Sequence, residues 1–140
     1  MTNNNTMQRN KLFTPRKGEY CFEHKHETKI GETGILYRLG ENQCRVPYHD
    51  IQYLKADLKY VDIVTASGNK YITELSLVAI RTLAPPDIFI QTHRAYLINR
   101  HFLSGIERRS ATEWFAILST GEKVEIARRR RQVVKKELRR

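Results

Sequence analysis

Phe89-Ile-Gln-Thr-His-Arg-Ala-Tyr-Leu-Ile-Asn-Arg100 places apolar residues on both sides of a polar bend. Phe89 and Ile90 before the bend, and Tyr96, Leu97 and Ile98 after it, suit core positions of two short strands. Gln91, Thr92, His93, Arg94 and Asn99 crowd the connection, which concentrates hydrogen-bond donors where the backbone turns. A guanidinium held in such a turn reaches two acceptors on one guanine edge or bridges phosphates, which makes Arg94 the leading candidate for reading a base. His93 has two uses, contact with a ligand or bonds to local backbone, and the turn-shaping use is favoured. Asn99 commonly satisfies backbone groups around a turn and is assigned the same structural role.

Charge supports a polyanionic partner. The 140 residues hold 25 Lys plus Arg against 15 Asp plus Glu, a formal net charge of +10, with a pI near 9.9. Much of the excess sits at the end of the chain, where Arg128, Arg129, Arg130, Arg131, Lys135, Lys136, Arg139 and Arg140 face the single anion Glu137. Such asymmetry is an electrostatic footprint for nucleic acid. Successive residues of the 128–131 run point in different directions, so one or two of them face a ligand. Cations at a helix start oppose the helix dipole unless an anion lies nearby, which again points to phosphate.

Length suits one domain with a real core. Residues 1–18 are polar and Asn-rich, cannot bury enough apolar area to offset ordering entropy, and read as a disordered arm. Residues 19–34 form an N-terminal extension with an edge strand within 20–30, and residues 35–140 the folded domain. Cys21 and Cys44 match no redox or zinc spacing and define no disulfide framework, which predicts inert thiols in a reducing cytoplasm. No signal-peptide core or membrane-length apolar run is present.

Within the domain, residues 35–39 and 44–48 flank Gly40 as a hairpin, with Pro47 at an edge. Residues 50–54 and 60–65 read as strands joined by an exposed turn at 56–59, and Ser67-Gly-Asn69 as a further hairpin tip. Over residues 74–83, Leu75, Val78, Ala79 and Leu83 fall near helical spacing before Pro85-Pro86 stops the run. Residues 102–106, 113–118 and 124–126 follow as strands, and a basic helix closes the chain over 129–138. The fold class is mainly β (α+β): many short strands, one internal helix and a basic C-terminal helix.

Other chemistries find little support. His24-Lys-His26 with Cys21 resembles a metal corner but lacks a convincing fourth ligand. His93, Asn99 and His101 include residue types found in metal-dependent nucleases, without a clear acidic ligand nearby. No dinucleotide, phosphate-loop or nucleophile-elbow signature occurs. The expectation is a protein that is not an enzyme, with no cofactor and no metal.

Asp50-Ile-Gln-Tyr-Leu54, Tyr60-Val-Asp-Ile63, the Phe89 to Asn99 stretch, Ile106 and Val124-Glu-Ile-Ala-Arg-Arg129 together resemble the LytTR family of bacterial DNA-binding domains over residues 35–138. The central piece is similar to the family pattern Phe, two residues, His-Arg-Ser-Tyr-Leu-Val-Asn. The resemblance implies short strands in stacked small sheets, with loops that enter successive major grooves. It places DNA contacts at Lys59, Tyr60 and Val61, at Arg94, and at Arg128 and Arg129. Ala95 and Ala127 stand where the family usually has Ser, so two hydroxyls that could bond phosphate are lost. The expectation is that Arg130 and Arg131 compensate electrostatically, with Lys135 adding to phosphate contact. Family members often carry a receiver domain, for which the residues before Ile35 are too few.

These readings converge on sequence-specific binding of double-stranded DNA by a stand-alone bacterial transcriptional regulator in the cytoplasm. Two copies on repeated sites and a protein partner for the N-terminal arm are further expectations. The alternative is an RNA-binding or general nucleic-acid module, in which Tyr53, Tyr60 and Trp114 would stack on exposed bases.

Overall fold

The computed structural model of the chain describes residues 34–140. Its short alternating segments pair into three antiparallel sheets. Strands β1 (Gly34–Leu39) and β2 (Asn42–Pro47) form a hairpin that turns through Gly40 at φ 64°, a conformation that glycine adopts without steric cost. Strands β3 (Ile51–Asp57), β4 (Tyr60–Thr65), β5 (Lys70–Thr73), β6 (Phe89–His93) and β7 (Tyr96–Asn99) make a five-stranded sheet in the order β5-β4-β3-β7-β6. Strands β8 (Leu103–Arg108), β9 (Trp114–Leu118) and β10 (Lys123–Ile126) make the third sheet. Helix α1 (Leu77–Leu83) lies between β5 and β6, and helix α2 (Arg131–Leu138) follows a 3-10 turn at Arg128–Arg130.

Alternation along the strands gives the five-stranded sheet two buried faces. On β7, Leu97 joins a core with Ile35, Val46, Leu54, Ile63 and Ile80. Its neighbour Ile98 joins a different core with Ile90, Ala116, Leu118, Val124, Ile126 and Val134. The large sheet is therefore the middle layer, covered by the first hairpin and α1 on one face and by the small C-terminal sheet and α2 on the other. Gln52, buried in β3, crosses between sheets: its Nε2 donates to the Thr65 carbonyl at 2.8 Å, and its Oε1 accepts from the Thr120 hydroxyl at 2.6 Å. The expected mainly β architecture of stacked small sheets, with one internal helix and a basic C-terminal helix, is what forms.

Several local boundaries differ from expectation. The internal helix spans Leu77–Leu83 and not residues 74–83, because the Ser76 hydroxyl accepts from the Ala79 amide at 3.0 Å and starts the helix there. That start sets the phase of the helix: Leu77, Ile80 and Ala84 are buried, while Val78 and Leu83 are exposed. The β3–β4 turn is tighter than the expected 56–59, since β3 runs on to Asp57 and leaves only Leu58 and Lys59 in the loop. Cys44 is disulfide-bonded, which corrects its reading as an inert thiol, because the spacing argument excluded a framework of several bridges and not a single bond. The polar arm, the extension at 19–34 and its edge strand, Cys21 and the His24–His26 corner lie outside the described residues. Among the described residues no helix is long and apolar enough to cross a membrane, and no cluster of three metal-ligating side chains occurs.

Candidate nucleic-acid interface

Three turns meet at one end of the central sheet. In the β3–β4 turn, Asp57 pairs with Tyr60 across Leu58 and Lys59. In the β6–β7 turn, His93 pairs with Tyr96 across Arg94 and Ala95. Because β3 and β7 are neighbours, these turns lie side by side, and the Ala56 amide donates to the Ala95 carbonyl at 2.8 Å. On the other flank the Ala127 amide donates to the Thr92 carbonyl at 2.7 Å, which ties the Arg128–Arg130 turn to the end of β6. The Arg130 Nε adds a bond to the Gln91 carbonyl at 2.8 Å. Lys59, Arg94 and Arg128 thus come from distant parts of the chain to one edge.

The middle turn is held by His93. His93 Nδ1 accepts the Ala95 amide at 3.1 Å, and its ring meets Tyr96 edge-on with centroids 5.7 Å apart. Asn99 is buried: its Nδ2 donates to the carbonyls of Tyr48 and Ile51 at 3.1 and 2.9 Å, and its Oδ1 accepts the His101 amide at 2.9 Å. The His93 bond is the one that shaping this bend requires, whereas Asn99 lies at the far end of β7 and joins the Tyr48–Ile51 segment to the 3-10 turn at Arg100–Phe102. An Asn99 amide so engaged is not free to ligate a metal. Arg94, at the tip, is exposed.

Ion pairing separates the remaining cations. Glu107 takes Lys123 at 2.8 Å and Arg109 at 3.3 Å, and the hydrogen bonds from Lys123 and then Arg109 hold its carboxyl below the ordinary value. Glu137 takes Arg100 at 3.3 Å and Arg140 at 2.8 Å. Among the described residues, Lys59, Arg94, Arg128 and Arg129 have no carboxylate partner, and all four are exposed. These four cations lie on the turns that meet at this edge.

Not every expected contact residue reaches that edge. Val61 points into the core at 3% exposure, because alternation from exposed Tyr60 turns its side chain inward, so it offers a ligand backbone only. Arg130 is bonded to Gln91. Arg131 lies over the Trp114 ring at 4.5 Å and donates to the Ala111 carbonyl at 3.2 Å. Lys135 sits 5.1 Å from the same ring and Arg108 5.7 Å from it. This group of three cations around Trp114 escaped the sequence reading because its members come from β8, β9 and α2. Arg131 and Lys135 carry their charge beside that edge, since Trp114 pairs with Ile126 just before the Arg128 turn.

A LytTr DNA-binding domain profile matches residues 41–139. The chain belongs to the LytTR family of DNA-binding domains. Its fold is similar to that of the LytTr DNA-binding domain of a putative methyl-accepting/DNA response regulator from Bacillus cereus, with TM-score 0.67 at 21% identity, covering 77% of this chain and 98% of that one. The sequence is 24% identical over 114 residues to the sensory transduction protein LytT of Bacillus subtilis, covering 81% of this chain and 47% of the relative. The chain therefore spans about half the length of that curated relative. LytTR domains are bacterial DNA-binding regulatory modules and not catalysts.

Proposed function

We propose that this LytTR domain binds double-stranded DNA sequence-specifically as a transcriptional regulator in the cytoplasm, with the three turns entering successive major grooves. The observation that carries the reading is the convergence of Lys59, Arg94 and Arg128, each exposed and without a carboxylate partner among the described residues, on one edge. Arg94 reads a base edge from the central turn. Lys59 and Tyr60 flank it on one side, and Arg128 with Arg129 on the other. Arg130, Arg131 and Lys135 act behind this line, holding the third turn and adding positive potential toward phosphates. His93 fixes the geometry of the central turn, while Asn99 shapes the Arg100–Phe102 turn at the far end of β7.

A three-turn protein edge offers few contacts per copy, so two copies on repeated half-sites suit this mode of binding. The single-strand alternative asks for exposed stacking aromatics. Tyr53 and Trp114 are instead partly buried against the second core, which leaves Tyr60 as the accessible ring of the three. Selection of bound duplexes from a random pool is the test. Enrichment of a defined motif, retained against single-stranded RNA competitor, is the expected result. Recovery of unenriched sequence, or displacement by the RNA, overturns the reading.

A further inference from the structure

Leu58 combines two unusual properties. Its side chain is 100% exposed, and its backbone holds φ 55°, the left-handed region in which no other described non-glycine residue lies. It is the first of the two loop residues between Asp57 and Tyr60, a position that favours glycine when φ is positive there alone. A γ-branched residue at that site accepts both backbone strain and exposure of an apolar side chain to water. Folding explains neither, since Leu58 belongs to neither core.

The surroundings state what such a side chain meets. The β3–β4 turn abuts the β6–β7 turn through the Ala56–Ala95 bond, so Leu58 projects from the edge that carries Lys59 and Arg94. An edge of unpaired cations favours a polyanion over an apolar protein surface. Yet the tip itself is apolar, with exposed Asp57 before it and Lys59 after it, which is a poor loop for clasping phosphate. The apolar feature of a DNA major groove is the C5-methyl group of thymine. We infer that Leu58 is a specificity-determining contact to a thymine methyl in the major groove, presented by its strained turn. This rests on the duplex-DNA reading above and adds to it a base preference at the position facing the β3–β4 turn.

The test uses the full chain and a duplex selected from a random pool, in which each thymine in turn is replaced by deoxyuridine, which lacks only the methyl group. For the unaltered protein, one replacement or one adjacent pair weakens binding about fourfold, the value of one buried methyl group. Leu58→Gly binds the thymine and deoxyuridine duplexes equally at that position, while keeping its response to changes elsewhere in the motif. Its thermal midpoint is equal or higher, because glycine relieves the positive φ, so lost affinity does not come from unfolding. If no replacement affects the two proteins differently, Leu58 does not contact a methyl. If no motif is selected at all, the DNA reading fails first and the inference with it.

Discussion

The amide of Ala56 donates to the carbonyl of Ala95 at 2.8 Å, and through this bond two hairpins remote in sequence share one edge. The register that places it there continues as Lys55 opposite Tyr96 and Leu54 opposite Leu97, so the edge inherits the stiffness of the buried sheet beneath it. A reading surface on such a base loses little entropy on binding.

Arg94→Ala removes an exposed side chain with no intramolecular carboxylate partner, so stability stays within about 0.5 kcal/mol. Discrimination between the selected duplex and a scrambled one falls by about 1–3 kcal/mol, the value of a lost bidentate base contact. Titration of both duplexes checks it, and unchanged discrimination removes Arg94 as the reader.

Arg128 and Arg129 should carry most of the salt dependence that their turn contributes. Replacing both with Gln shallows the slope of log K against log salt by about two phosphate equivalents, near 0.9 each. Arg130→Gln acts differently: the bond to the Gln91 carbonyl is lost and the third turn loosens, so specific binding drops more than the slope changes. Affinities over a salt series for the two variants separate these effects.

Asn99→Ala leaves the carbonyls of Tyr48 and Ile51 and the amide of His101 without their side-chain partner in a buried setting. Each group left unsatisfied costs about 1–3 kcal/mol, so the urea midpoint falls sharply. Under strongly stabilising conditions, where the variant is folded, its preference for the selected duplex is retained.

Burial pushes the Tyr48 phenol up to about 12, against the opposing charge of Arg45. The folded state then holds the phenol proton more tightly than the unfolded chain, whose phenol ionises near 10. The stability this contributes is complete below pH 10 and is lost as pH rises from 10 to 12. Tyr48→Phe flattens that decline in urea midpoints measured across this range. An unaltered decline assigns it to other groups.

The single stretch from Phe89 to Arg100 carried much of the fold because strand periodicity is local: anchors alternate with polar residues, and the bend falls between them. The same locality made the tip of Arg94 and the turn chemistry of His93 legible before any tertiary contact was considered. Helix phase was less accessible, since residues 75–83 fit two apolar faces, and the Ser76 cap together with the packing of Ile80 decided which one is buried. Val61 misled for a related reason: adjacency to Tyr60 in sequence means opposite faces in a strand.

The sequence by itself determined the strand-rich texture, the family, the excess of positive charge and the bend that presents Arg94, because each depends on residue order over short spans. Tertiary structure alone decided which cations remain unpaired, that Arg131 and Lys135 gather on Trp114, and that Leu58 stands on the same edge as Arg94. Those outcomes depend on pairing between segments far apart in the chain, and such pairing is set by the burial of a shared core rather than by local pattern.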